Sequence, residues 1–373
     1  MKNKILNYDF LIVGGGLIGS LTALSLHKRK LKVLVIDNKR EIQSDRRTLA
    51  VNANSKEFLL QLGVWSNIKT EPQKIKKIVI KDYINPSPLI FKNDKEIMGN
   101  VIYNAELHKI ILQKLKNFKL LETNIKINID NLKPNTSISI NNKNYSFKKI
   151  ILSIGKKIIS DSKQKKIIFD NEDYSYVGFF KHKKDHDGIA YEIFNKEGPL
   201  AVLPCPSSNN KKSTFIFSTN KNTSFVKIKS LINKSFYLSH GEMSFDKEMF
   251  TFPVIPYLTK FNKNFIYIGD TLKSIHPVAG QGWNLGIKDI QTLHKLIDQH
   301  TFESEIFNRI YYSRRMVESF AYLGFTSMIN MLYENQNNLN SKLIKYGYQG
   351  LQNVSSIRKL FIKQAMGRLN LVD

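Results

Sequence analysis

A chain of 373 residues, 42% of them hydrophobic, is too long for one small core and sufficient for a nucleotide-binding domain with a second domain attached. Its single cysteine, Cys205, excludes an intramolecular disulfide and points to a reducing, cytoplasmic compartment, and no Cys/His cluster has metal-ligand spacing, so no metal is expected. The net charge of +26 comes from lysines scattered singly among Ile and Asn, without an aromatic-interleaved basic strip, which argues against a nucleic-acid partner and fits attraction to an anionic bilayer surface better.

Taken in order, the apolar run 10–26 follows two lysines, but it is interrupted by Gly14-Gly15-Gly16 and lacks a small-residue cleavage site, so it reads as folded structure and not as a leader. Nowhere do apolar residues reach the roughly 18 needed for a membrane span. Residues 8–13 read as a strand, followed by Gly14-x-Gly16-x-x-Gly19, a helical pattern and a second strand, 31–36, ending in Asp37. Such glycines allow a tight turn and close backbone approach to a pyrophosphate at the helix N-terminus, while Asp37 can hold ribose hydroxyls; in this context the pattern predicts dinucleotide binding.

Residues 54–62 and 105–115 read as helices, and 75–82, 89–91, 137–140 and 150–153 as strands. Strand-like stretches at 174–181, 189–194, 200–203 and 214–218, separated by Gly, Pro and Asn turns, predict a mainly antiparallel region. A short buried strand at 265–268 precedes "GDTLKSIHPVAGQGWNLG" (269–286) and a helix over 283–297; the tail from Ile306 is helical and amphipathic, a packing element or a membrane face. Cys205, between two prolines, reads as a buried structural thiol.

In the 269–286 segment, the strand end delivers Asp270, whose carboxylate can accept hydrogen bonds from sugar-like hydroxyls. Gly280 and Gly282 leave backbone N–H groups uncovered at a helix start, where donors and dipole together stabilise negative charge. Arginine is absent from Thr48 through Asn308, yet Arg46 and Arg47 stand together after the second strand, and a planar bidentate cation suits pyrophosphate better than lysine does. His276 is the one histidine inside a chemical motif; it reads either as a proton acceptor or relay or as a wall residue.

These stretches, with "DRRTLAVNANSKEFLLQLGVW" (45–65), "GPLAVLPCP" (198–206) and "KQAMG" (363–367), make the chain resemble the FAD-dependent aromatic hydroxylases with a p-hydroxybenzoate hydroxylase fold, and within them the ubiquinone-biosynthesis hydroxylases. The resemblance implies an α/β fold: a Rossmann-like, glutathione-reductase-type FAD domain (1–70, 100–165, 262–335), an interleaved antiparallel substrate domain (71–99, 166–261) and a C-terminal helical tail (336–373). It implies FAD held by Gly14, Gly16, Gly19, Asp37, Arg47 of an Asp45-x-Arg47-x-x-Ala50 pattern, Asp270 at the ribityl chain, and Gly280, Gln281, Gly282 and Asn284 near the flavin. His108 stands where relatives often carry a glutamine, Pro277 would fix a turn over the flavin face, and the donors near Gly280 and Gly282 would stabilise reduced flavin.

The implied activity is hydroxylation of a polyprenylated phenol with O2 through a C4a-hydroperoxyflavin. NAD(P)H would be the reductant, and contact with the inner membrane face and with other quinone-biosynthesis proteins would follow. A prenyl-chain reductase and a non-catalytic flavoprotein subunit are the alternatives. Two departures stand out: Thr271-Leu272-Lys273 replaces the usual Ala-Ala-His, and Ile154-Gly155-Lys156-Lys157 replaces an Asp-Gly fingerprint, which puts the NAD(P)H route in question.

Overall fold

The computed structural model describes residues 5–41, 47–160, 166–169, 173–219, 222–276, 281–334 and 337–369. The first strand, Ile5–Val13, lies inside a parallel sheet between Lys143–Leu152 and Val33–Ile36. Phe265–Tyr267 and Leu121–Glu122 extend it on either side, and Ser137–Ile140 pairs antiparallel with Lys143–Leu152. Strands buried on both faces read as continuous Val, Ile and Leu runs, as these do. On one face Phe10 and Ile12 pack with Leu21, Ile111 and Ile287 from three helices, Leu17–Lys28, Asn104–Asn117 and Gly282–Gln299. On the other, Leu11, Leu34 and Ile150 share a cluster with Leu323 of the long helix Phe307–Glu334.

The second sheet is drawn from two separated segments. Its order is Met243–Phe245, Asp173–His182, Lys212–Thr219, Gly198–Pro204, Ile189–Asn195, Lys77–Asp82 and Leu89–Lys92, with Phe250–Val254 also paired to Asp173–His182. All of its pairs are antiparallel except Ile189–Asn195 with Lys77–Asp82. The expected organisation, a Rossmann-like domain with an interleaved antiparallel sheet and a helical C-terminus, is the one observed.

Three details differ from the sequence reading. The single strand expected at 75–82 is two: Gln73–Ile75 pairs with Gly99–Tyr103 beside Thr48–Asn52, whereas Lys77–Asp82 enters the large sheet. An apolar run does not record a change of sheet. The strands Lys166–Ile168 and Tyr257–Thr259, expected within the substrate domain, form a small sheet with Lys273–Ser274 of the flavin segment. A helix, Phe225–His240, was not anticipated, although its signal was present: Ser224 caps it by accepting from the Lys227 N–H, and Ile228, Ile232 and Phe236 recur every four residues on its buried face.

Candidate active site

A cavity of about 1000 Å³ runs from the glycine turn to the antiparallel sheet. At one end, Gly14 has φ +108°, and a Cβ there would lie 2.3 Å from the Ser153 carbonyl oxygen; on Gly19 it would lie 2.1 Å from the Gly14 oxygen. A Cβ on Gly16 would meet nothing within 4 Å, so this glycine opens onto free space at the start of the first helix. Two glycines therefore serve close packing, while the third leaves donors accessible to a ligand.

Asp37 accepts from the Gly15 N–H at 2.7 Å through one oxygen and from the Lys39 N–H at 2.9 Å through the other. A carboxylate has about four acceptor positions, so capacity for ribose hydroxyls remains. His108 is buried and its Nε2 lies 3.1 Å from the Gly15 carbonyl oxygen; since a carbonyl only accepts, Nε2 carries the hydrogen and braces the turn.

Further along, Asp270 stands in a turn tied on three sides. The Gly269 N–H donates to Asp289 Oδ2 at 2.8 Å, the Gly155 N–H to Thr271 Oγ1 at 2.8 Å, and the Tyr257 hydroxyl to the Asp270 carbonyl. Gly269 has φ +58°, which a glycine adopts without strain. The Asp270 carboxyl is open to the cavity but enclosed by protein, so desolvation raises its pKa while Lys156, Arg47 and Lys273 pull it down. Arg47 lies with its guanidinium carbon 4.7 Å from the centre of the Phe252 ring.

Beneath this turn is a buried ionic network that sequence reasoning missed. Asp289 accepts from Lys273 Nζ at 2.6 Å and Arg315 Nε at 2.7 Å; Glu318 accepts from Arg315 at 2.5 Å and from Lys288 Nζ at 2.6 Å. Burial works against the Arg315 charge, but Asp289 and Glu318 outweigh it and hold the guanidinium protonated; burial lowers the Lys273 pKa, with Asp289 opposing. Lys273, where the resemblance implied a histidine, was the only trace in the sequence, and the other four members, Lys288, Asp289, Arg315 and Glu318, come from two helices.

The structure brings Gly14, Gly16, Asp37, Arg47, His108, Asp270 and Gly282 to the lining of one cavity, with Gly19 packed against Gly14. Asn284 is placed differently from the expectation. Buried, it donates to the Ala50 carbonyl at 2.9 Å and accepts from the Asn52 N–H at 3.2 Å, tying the helix to the strand Thr48–Asn52. Gln281 precedes the helix and its carbonyl accepts from the Leu285 N–H. His276 is buried away from the cavity lining, with Nε2 3.0 Å from Asp173 Oδ2 and, among the described residues, no partner for Nδ1. That geometry ties the flavin segment to the antiparallel sheet and does not present the ring to a substrate. Pro277 and Gly280, like Asp45, lie outside the described residues. Cys205 is buried, and burial raises its thiol pKa, as a structural thiol requires. Lys156 and Phe252, unanticipated, also line the cavity.

Residues 7–131 match the family described as the FAD binding domain. This chain carries an FAD-binding domain. The cavity fits that cofactor: an open glycine turn, two carboxylates, Asp37 and Asp270, and Arg47 all line it. The ubiquinone hydroxylase UbiM of Neisseria meningitidis is 23% identical over 97% of this chain and 85% of its own length. The mitochondrial ubiquinone biosynthesis monooxygenase COQ6 of Dictyostelium discoideum is also 23% identical, over 98% of this chain and 92% of its own length. Among solved structures, p-nitrophenol 4-monooxygenase PnpA from Pseudomonas putida superposes with a TM-score of 0.74 at 13% identity, covering 99% of this chain and 100% of that one. The fold is thus that of a flavin-dependent monooxygenase.

Proposed function

We propose that the protein is an FAD-dependent monooxygenase that hydroxylates the aromatic ring of a polyprenylated phenol in ubiquinone biosynthesis. The observation that carries this reading is the continuity of the cavity: the wall of glycines and carboxylates passes directly into an apolar wall of Val177, Ile216, Phe250 and Val254 on the antiparallel sheet. The strands facing it are Asp173–His182, Lys212–Thr219 and Phe250–Val254, and Gly198–Pro204 is the next strand along. An aromatic ring lying against that wall would share the cavity with a bound cofactor, with water excluded by apolar side chains.

FAD, when bound, supplies electron transfer and O2 activation, with NAD(P)H as the proposed reductant. The stoichiometry is one aromatic C–H and O2 with NAD(P)H and a proton, giving the phenol, water and NAD(P)+. The protein's own residues bind and orient. Gly16 and Arg47 would hold the pyrophosphate and Asp37 and Asp270 the two sugar chains, and the N–H groups at the start of Gly282–Gln299 would stabilise negative charge. His276 is a positioning residue in this reading, holding the flavin segment against Asp173.

The substrate's isoprenoid tail calls for contact with a bilayer, and the C-terminal helices Asn338–Asn353 and Ser355–Ala365 suit an anionic surface. They contain five Lys or Arg and no Asp or Glu, and they expose Leu339, Leu343, Tyr346, Ile357 and Leu360. No helix among the described residues is long and apolar enough to cross a membrane, and the contact proposed is a peripheral one. The deciding experiment for the reaction is quinone-precursor profiling of a deletion strain with O2 uptake by the purified enzyme. An accumulated prenylphenol lacking one hydroxyl, and O2 consumed with it, are expected. A precursor with an unsaturated tail and no O2 demand would instead identify a prenyl-chain reductase.

A further inference from the structure

The segment Ile154-Gly155-Lys156-Lys157 stands where the resemblance implies an Asp-Gly fingerprint and carries cations instead, and the structure shows where Lys156 goes. Lys143–Leu152 delivers the chain to the mouth of the cavity, Gly155 turns it with φ +63°, and the Gly155 N–H is fixed to Thr271 beside Asp270. Lys156 then folds inward. Its Nζ donates to the Pro253 carbonyl at 2.8 Å and lies 5.6 Å from the centre of the Phe252 ring, the same ring that Arg47 approaches at 4.7 Å.

Two cations are therefore gathered on one aromatic ring at the cavity, close to the Asp270 carboxylate. Burial lowers the Lys156 pKa, Asp270 raises it and Arg47 lowers it further, so the pair of like charges is held together at an electrostatic cost. An ammonium has three donors; the Pro253 carbonyl takes one, and the cavity faces the rest. A diphosphate bound in the cavity that Gly16 also lines would meet both cations and take up the remaining Lys156 donors.

We infer that Lys156 is a second phosphate ligand, which with Arg47 and the glycine turn clamps the diphosphate of the dinucleotide cofactor. The inference rests on the FAD reading above and adds to it a residue particular to this chain. Arg47 supplies a fork and Lys156 a compact point charge held by a backbone carbonyl, so the two are complementary and not redundant. Asp270 is thereby left to the sugar hydroxyls, its charge balanced by the neighbouring cations.

The test is titration of stripped apoprotein with FAD at 0.05 and 0.5 M salt, comparing wild type with Lys156→Met and Lys156→Arg, and with apoprotein melting as a check on folding. Lys156→Met is expected to weaken FAD binding about 10- to 100-fold at low salt, the span of one hydrogen bond to a charged group. It should also flatten the salt dependence, because one ion pair to the ligand is gone, and Lys156→Arg should recover most of both. Unchanged affinity in Lys156→Met would overturn the assignment, as would a loss with wild-type salt dependence, which would mean that the lysine only braces Pro253. Failure of wild-type apoprotein to bind FAD at all would instead remove the cofactor reading on which the inference rests.

Discussion

Asp270 and Gly282 stand on opposite sides of the same segment, and substitutions at them separate binding from chemistry. The turn that carries Asp270 is held by bonds that do not use its carboxylate, from the Gly269 N–H to Asp289, from the Gly155 N–H to Thr271 Oγ1 and from the Tyr257 hydroxyl to the Asp270 carbonyl, so Asp270→Ala should remove acceptors for the cofactor without unpinning Gly269 or Thr271. Flavin retention is expected to fall by about 1.5–3 kcal/mol, the worth of a hydrogen bond to a charged group, read as flavin content after gel filtration. An unchanged content would count against the FAD placement. At Gly282 a Cβ meets nothing within 4 Å, so Gly282→Ala should fold and bind. Its methyl would nonetheless stand beside the N–H groups proposed above to stabilise the reduced cofactor. The variant should be yellow, with a more negative flavin potential and hydroxylation slowed by up to about 3 kcal/mol. Wild-type potential and rate together would reduce the glycine to an ordinary helix start.

At the scale of elements, the substrate sheet buries a group of histidines that no part of the proposed reaction uses. His182 and His240 have ring centres 4.6 Å apart, His182 and His186 5.9 Å, and all three are buried behind Phe180. Burial pushes the His186 pKa down to about 4, with Asp185 partly opposing, and burial with the neighbouring His182, His186 and Lys81 takes His240 to about 3. Since both values lie below the ordinary 6.5, the unfolded chain binds more protons than the folded one between them. Stability is therefore full above about pH 6.5 and is lost as pH falls toward 4, at up to about 1.4 kcal/mol per pH unit for each histidine. Urea midpoints measured from pH 7 to pH 5 should show this fall, and His240→Phe should lessen it; a flat profile in wild type would mean that the cluster is solvated.

This cluster also shows what the sequence could not convey. The glycine turn, Asp37 and Asp270 were legible because local spacing alone defines a βα turn. The helix Phe225–His240 was legible too, from its four-residue apolar spacing, and was overlooked inside a stretch rich in strands. The histidine group and the Lys273–Asp289–Arg315 network were not legible, because their members come from distant elements and each reads alone as a surface polar residue. Asn284 was misplaced for the opposite reason: it lies within a recognisable motif, but its amide faces the strand Thr48–Asn52 and not the cavity.

For the whole molecule, the proposed membrane contact raises the question of which side would make it. A charge of +26 spread over the surface gives no direction by itself. Direction comes from coincidence: Leu343 and Leu360 are about half exposed, Tyr346 more so, and the helices bearing them carry Lys342, Lys345, Lys359 and Lys363 with no acid. Their opposite faces are spoken for, since Ile344 and Tyr348 are buried and Phe361 packs against Phe91 of the antiparallel sheet. An apolar stripe edged with lysine on anchored helices can enter the headgroup layer without unfolding, and each nearby cation adds about 1 kcal/mol at an anionic surface. Co-sedimentation with vesicles containing anionic lipid should therefore be strong at 0.1 M salt, where the screening length is about 10 Å, and weak at 1 M, where it is about 3 Å. Leu343→Glu with Leu360→Glu should abolish it while leaving flavin content intact, because neither residue lines the cavity. Equal binding to neutral and anionic vesicles at both salts would refute the electrostatic part, and undiminished binding by the double variant would move the contact to another face of the molecule.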